Sequence, residues 1–416
     1  MTAPTDTKIS TLALFREGPF RLLFIMRISS NTASQMMGTV VVPFQIYELT
    51  GSAFQLGMIG LIQFLPALAL TLFAGQVADR YDRRWILRIG LTCQISVPAG
   101  FIVLSNMAAP PLLGFYGLLL VLAIARTFDS PTQQALLPSM VPREALAQAI
   151  TLSSSAQKLS ALVGPALAGV LLVISASVDY GVCLGLTAIA AAASFALPVP
   201  QYGDRDPRGR TWHTVFSGLQ VIFKTPVILG LMSLDLLATF FGGVAALLPI
   251  FAKDILNVGP VGLGILRAGP AVGALMIAVV LARYPVRRRA GRWLFGGVAA
   301  YGVATIVFGF SENMTLSMAC MLVVGAGDML GQVLRQTIIQ LRTPDAMRGR
   351  VAAVSNLSVT VGSQLGQFES GVVAAVIGAV GSVFVGGAAA LVVVAEWMRR
   401  FPAIAKIESP EEDALP

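Results

Sequence analysis

Apolar residues run through this chain in long unbroken stretches, set apart by short polar connections rather than alternating with polar positions. A helix needs roughly twenty apolar residues to cross about 30 Å of hydrocarbon at 1.5 Å per residue. Twelve stretches approach that length, near 22–47, 54–76, 85–106, 112–130, 149–174, 178–198, 227–251, 260–282, 292–310, 315–336, 350–375 and 379–398. Continuous apolarity favours helices over a barrel, because a helix in lipid satisfies its own backbone hydrogen bonds. The pattern therefore predicts an all-α integral membrane fold of twelve transmembrane helices.

The longest polar stretch between spans, 199–211, divides the chain into six spans before it and six after it. Beyond it Trp212, Val215, Phe216, Leu219, Ile222 and Phe223 recur at helical spacing opposite His213, Ser217, Gln220 and Lys224, which predicts a helix lying along the membrane interface. The halves also resemble each other. Residues from Val141 overlay those from Thr343 without gaps at an offset of 202, matching Pro142 with Pro344, Ser153 with Ser355, Gly164 with Gly366 and Gly169 with Gly371. Such a duplication predicts two pseudo-symmetric six-helix bundles around a central site. The expected segments are a tail over 1–21, a first bundle over 22–198, a linker with an interfacial helix over 199–226, a second bundle over 227–398 and a tail over 399–416.

Composition supports the membrane assignment: 56% of the 416 residues are hydrophobic and 12% charged. Charge position then orients the spans. With the N-terminus inside, nearly all of the 29 lysines and arginines fall in cytoplasmic segments, from Lys8, Arg16 and Arg21 through Arg283, Arg287, Arg288, Arg289 and Arg335 to Lys406, and Lys253 alone falls in an outer connection. Both termini are expected in the cytoplasm. The net charge of +8 becomes a collar beside anionic headgroups, and no nucleic-acid partner is implied. The first twenty residues are polar and include Glu17, so no cleavable signal is expected and the first span serves as the targeting signal. Cys93, Cys183 and Cys320 are scattered over different spans and the one histidine, His213, lies in the linker. No nucleophile with a base, phosphate-binding glycine loop or metal-ligand spacing stands out, so no enzyme activity, cofactor or metal is expected.

The connection between the second and third spans crowds Gly75, Asp79, Arg80, Arg83 and Arg84 together. That spacing resembles the G-x-x-x-D-R-x-x-R-R signature of the major facilitator superfamily, and the second half keeps a degenerate echo, "ARYPVRRRAGRW", without the acid. The segments "PFQIYELTGSAFQLGMIGLIQFLPALAL", "ARTFDSPTQQALLPSMVPREALAQAI", "GPALAG" and "RGRV" resemble the bacterial exporters related to the enterobactin exporter, the transmembrane secretion effector group. Gly164, Pro165 and Gly169 correspond to the superfamily's antiporter motif, with Ala168 where that motif has glycine, and Arg126 is followed by Asp129 and Ser130 where the fourth-span motif has Gln-Gly. The resemblance implies export of a small molecule across a bacterial inner membrane by alternating access, with proton antiport and a monomeric protein. An importer or lipid flippase of the same fold is the alternative, and a receptor or scaffold a more distant one. In the functional reading Asp79 faces the N-terminus of the eleventh span, where free amides attract an anion, and Asp129 pairs with Arg83 across the inner surface. In the structural reading the arginines only anchor topology.

Within the spans, charges cost about 2.5–3.5 kcal/mol each at the centre. Arg27, Arg126 and Arg267 lie near enough to span ends to snorkel. Asp235 and Asp328 lie roughly 12 Å deep, and Glu369 in the outer half of the eleventh span. With no histidine in any span, these acids either carry the coupling proton or form fixed pairs with Arg267, Arg335 or Lys158. Gln35, Gln45, Gln157, Gln364 and Gln367 offer amides at membrane depth as candidate substrate contacts. Ser153, Ser160 and Gly164 form a stripe that serves either close helix packing or a solute.

Overall fold

A computed structural model describes residues 14–15, 18–198, 220 and 222–409, with the side chains of Leu72, Asp79, Arg143, Asp345 and Ala346 outside the described residues. The expected interfacial helix therefore falls mostly outside them: Gln220 and 222–224 are helical, while Trp212, His213, Val215, Phe216, Ser217 and Leu219 lie outside the described residues. So do most of the N-terminal tail and the last seven residues.

All regular structure among the described residues is helical. The first half contains α1 (Gly18–Met36), α2 (Val42–Thr50), α3 (Ala53–Arg80), α4 (Arg83–Ser105), α5 (Leu112–Leu136), α6 (Leu146–Leu171) and α7 (Ala176–Phe195). The second half contains α8 (Pro226–Phe241), α9 (Gly259–Arg283), α10 (Ala290–Gly309), α11 (Met314–Arg342), α12 (Asp345–Arg400) and the short α13 (Pro402–Ala405). Nine helical stretches among the described residues are long and apolar enough to cross a membrane, one of them being 54 residues long, Met347–Arg400. That stretch is two helices in line. Gly378 interrupts it at φ 80°, ψ 164°, a conformation open to glycine and strained for any residue with a Cβ, and it falls between the apolar runs 350–375 and 379–398. Leu113, Val376, Val392 and Ile174 stand exposed on the outside, an arrangement that suits lipid and not water.

Two interruptions depart from the simple spans. A π-helical turn, Met37–Val41, separates α1 from α2, and Phe241 is followed by a 3₁₀ turn, the short helical turn Leu248–Ile250 and a second π turn, Phe251–Ile255. Pro43 and Pro249 flank these turns. Pro43 lacks an N–H and crowds the Thr39 carbonyl, four residues back within the first π turn, whose wider coil relieves the clash.

The apolar core is unequal at the two ends of the molecule. At the end bearing the α2–α3, α6–α7 and α10–α11 connections, one cluster joins both halves, with Met36, Val41, Leu56, Phe101, Phe115 and Tyr180 packed into the same core as Leu247, Phe251, Leu263, Phe308 and Met321. At the opposite end the halves keep separate cores. Phe20, Leu87, Leu136 and Ala190 belong to one, and Ile228, Leu294, Leu334 and Val393 to the other.

Candidate functional site

Four close approaches hold the shared end together. A Cβ on Gly169 of α6 would stand 2.8 Å from the Pro260 carbonyl oxygen and 2.9 Å from the Gly264 Cα of α9. On the other side, a Cβ on Gly57 of α3 would stand 2.9 Å from the Gly371 Cα of α12, and Gly60 meets Gln364 and Gln367 just as closely. Backbones can meet this closely only where at least one of the residues is glycine, and at Gly169–Gly264 and Gly57–Gly371 both are. The Phe54 and Phe368 rings meet edge to face with centroids 6.5 Å apart, and the Tyr47 hydroxyl donates a hydrogen bond to Asp254 beside Lys253, whose ammonium lies 5.8 Å from the Tyr47 ring. Every one of these contacts joins the first half to the second.

Below this seal lies a cavity of 420 Å³ between the halves. The first half contributes Gln35, Thr39, Lys158, Ala161 and Pro165; the second contributes a longer wall from α8, α9, α10 and α11 that includes Asp235, Arg267, Tyr301, Asp328 and Arg335. Asp235 forms a buried ion pair with Arg335, and both residues are less than 9% exposed. This corrects the placement of Arg335 in the cytoplasmic collar. The apolar run ends near 336, but α11 continues to Arg342, about 10 Å further along its axis, so Arg335 lies inside the protein. Asp328 opens into the cavity and is acted on electrostatically by Lys158 of the other half. Arg267 forms no ion pair or hydrogen bond among the described residues, and its buried Nε has no partner.

The remaining sequence candidates are distributed more widely. Gln35 lines the cavity and packs against Gly164, where a Cβ would stand 2.9 Å from the Gln35 Cβ. Gln45 belongs instead to a hydrogen-bonded cluster, accepting from Tyr180 at 2.7 Å and donating to Ser105 at 3.0 Å. Gln157 is exposed, while Gln364 and Gln367 pack on Gly60, with the Gln364 Oε1 buried and unpartnered. Glu369 is half-buried on α12 and accepts a hydrogen bond from its neighbour Ser370 at 3.3 Å. Pro165 lines the cavity and Gly169 forms the seal, so the antiporter-like segment serves both.

At the opposite end, Gly75 is buried and Arg80 exposed, and the Asp79 side chain lies outside the described residues. Asp82 caps α4 by accepting from the Arg84 N–H at 2.9 Å and pairs with the Arg84 guanidinium at 2.8 Å. Arg83 donates to the Ala135 carbonyl at 2.8 Å and the Ala78 carbonyl at 3.2 Å, tying together the ends of α3, α4 and α5. The expected pair of Asp129 with Arg83 is not formed. Asp129 lies six residues before Ala135 on α5, about 9 Å along the axis. There it accepts from Gln94 across Gly90, with Arg126 nearby and its other carboxylate oxygen unpartnered. Gln94 in turn accepts from Ser30 at 3.4 Å, and Arg27 donates to Gln133 at 3.0 Å.

The sequence reading missed two features, the Tyr47–Asp254 bridge and Asp179, whereas the Asp235–Arg335 pair is one of the fixed pairings it held open as the alternative to proton coupling. Asp179 is fully buried in the first turn of α7, 3.8 Å from the Cys183 sulfur. The bridge joins residues 207 apart in sequence, which no spacing rule pairs, whereas Asp179 and Cys183 stand one helical turn apart, a signal the spacing itself held.

Comparison with known proteins bears on the same architecture. The family model of the Major Facilitator Superfamily matches residues 23–367. The chain is 26% identical over 90% of its length to the enterobactin exporter EntS of Citrobacter koseri, covering 90% of that protein. A bacterial homologue of the human lysosomal transporter Spinster, solved in an inward-facing and occupied conformation, superposes with a TM-score of 0.75 at 14% identity, covering 94% of this chain and 98% of that one. A bacterial homologue of the iron transporter ferroportin in an inward-facing state superposes with a TM-score of 0.72 at 17% identity, covering 94% and 99%.

Proposed function

Because the chain belongs to the major facilitator superfamily and is a multi-pass membrane transporter of small molecules, we propose that it exports an amphipathic solute, siderophore-like or drug-like, across a bacterial inner membrane by alternating access coupled to proton entry. The observation that supports this best is a central cavity walled by both halves beneath an end that the two halves seal together. In this reading the twelve apolar runs are twelve spans in two six-helix bundles, joined by the linker over 199–226. Both termini are cytoplasmic, so the sealed end faces outward and the separate cores face the cytoplasm.

In this reading the structure is inward-facing, the state in which those two solved transporters were captured. The solute enters from the cytoplasm, its mostly apolar body against Leu231, Leu234, Met321 and Val324. Opening outward separates Gly169 from Gly264 and Gly57 from Gly371 and breaks the Tyr47–Asp254 bridge, while the loop with Asp79, Arg80, Arg83 and Arg84 closes the cytoplasmic end. Export direction follows the named relatives, which are exporters.

Of the three candidate acids, Asp328 suits the coupling proton best. Protonating Asp235 would strand the Arg335 guanidinium in a buried site, and Glu369 is not among the residues lining this cavity. Asp328 is open to the cavity and faces Lys158 across the two halves, so its charge helps set how strongly they attract. The test is efflux of siderophores and of hydrophobic dyes from proteoliposomes of fixed orientation under an imposed pH gradient. Uphill movement out of the cytoplasmic-side compartment is expected for at least one solute class. Uphill movement only in the reverse direction would make the protein an importer, and movement of labelled lipid alone would make it a flippase.

A further inference from the structure

Five charged side chains line the cavity: Lys158, Asp235, Arg267, Asp328 and Arg335. Asp235 is neutralised by Arg335, and Lys158 acts on Asp328. That accounting leaves Arg267 over. It sits on α9 eight residues beyond Gly259, about 12 Å along the helix, and instead of snorkelling to the span end, as its position had suggested, it lines the cavity. Its Nε is buried and unpartnered, and no carboxylate among the described residues pairs with it. Around it the wall is apolar, formed by Pro270, Ala271, Ala274, Met321 and Val324.

We infer that Arg267 is the anion-receiving group of this cavity and that the transported solute carries a planar two-oxygen anionic head, such as a carboxylate, on an apolar body. The chemistry follows from the residue. A guanidinium offers two parallel N–H donors that match two anionic oxygens, a fit that an ammonium does not provide. Three cations face two carboxylates across the cavity, so an anionic head completes the charge balance while a cationic solute worsens it. The apolar wall takes the remainder of the molecule. This deepens the export reading by naming a substrate class, but the binding it asserts is independent of direction and coupling.

The test uses the purified full-length protein in detergent with two probes that differ only in the head group, dansylglycine and its neutral amide. Dansylglycine is expected to bind about ten- to a hundredfold more tightly, the range of one hydrogen bond to a charged group. Arg267→Gln should erase that preference, so that the two probes bind about equally. Equal binding of the two probes by the wild-type protein, or a preference that survives in Arg267→Gln, overturns the inference and leaves Arg267 solvated by cavity water. A second measurement needs no variant: dansylglycine, and not the amide, should protect Arg267 from modification by phenylglyoxal, read by mass spectrometry. Absence of protection overturns the inference as well. Anion preference in a protein that moves nothing uphill would sink the export reading and leave this one standing.

Discussion

Asp235→Asn tests the buried ion pair most directly. The substitution keeps the side-chain volume and removes one charge, leaving the Arg335 guanidinium uncompensated at 7% exposure, with its Nε already unpartnered. Breaking a buried pair from one side costs about 3–5 kcal/mol. The cavity worsens this, because Lys158 and Arg267 would then face Arg335 with only Asp328 opposing them. At roughly 2–4 °C per kcal/mol for a unit of about 200 residues, the melting temperature should fall on the order of 10 °C. Removing both charges in Asp235→Asn with Arg335→Gln should recover most of that loss, since a neutral pair leaves no stranded ion.

The cysteines supply the assay. Cys183 and Cys320 are buried and Cys93 is exposed, so in a Cys93→Ser background a thiol-reactive fluorophore reports unfolding as the two buried thiols emerge. A melting temperature for Asp235→Asn within about 2 °C of the parent, or a double variant no more stable than the sum of the two single losses predicts, would refute the reasoning.

Tyr47→Phe and Asp254→Asn should each loosen the sealed end, raising labelling of a cysteine placed at Ala245 by an impermeant reagent added from outside by about tenfold, as losing one hydrogen bond to a charged group allows; unchanged labelling would remove the bridge from the gate. Gly169→Val should trap the protein away from the sealed state, because its Cβ would meet the Pro260 carbonyl oxygen at 2.8 Å, and cross-linking by a short bifunctional reagent of cysteines at Phe54 and Phe368, whose rings meet across the same end, should then be lost. Asp328→Asn should retain solute binding and downhill exchange but lose efflux driven by a pH gradient, and uphill efflux at the parental rate would exclude it as the proton carrier. Cysteines at Arg288 and Glu312, both exposed, should be labelled from opposite sides of the membrane, the first from the cytoplasm.

The helices were legible because crossing a bilayer demands a length and a uniform apolarity that few other structures need. Even the break at Gly378 lay between two apolar runs. The ends were less legible. Arg335 looked cytoplasmic because the apolar run stops near it, while α11 continues nearly two more turns beyond it and turns Asp328, Gln332 and Arg335 to the cavity. The Asp129–Arg83 pair failed for a related reason. Both residues belong to the same end of the same half, but pairing depends on height along each helix, and Asp129 stands level with Gln94 and Gly90. The glutamines, read only for depth, had no facing, and Gln35 lines this cavity while Gln45 is committed to Tyr180 and Ser105.

The internal repeat held more than the individual motifs. An offset of 202 residues pairs Gly169 with Gly371, and these two glycines occupy equivalent places in the structure: each lets the sealed-end part of a long helix touch a glycine of the other half, Gly264 for the first and Gly57 for the second. A glycine kept for flexibility alone would not need a glycine opposite it. Here both partners lack a Cβ, and the two junctions lie on opposite sides of the cavity, between α6 and α9 and between α3 and α12. Closely packed backbones gain dispersion contact without a hydrogen-bond network or ion pair at the same points, so they can separate and reform without stranding a polar group in lipid. The polar Tyr47–Asp254 bridge sits near the sealed-end termini of α2 and of the second π turn, where in the proposed cycle its groups can be rehydrated when it opens. In the proposed cycle the repeat thus supplies two matching apolar junctions, and the Tyr47–Asp254 bridge, the one hydroxyl–carboxylate contact of this seal among the described residues, lies where opening would cost least.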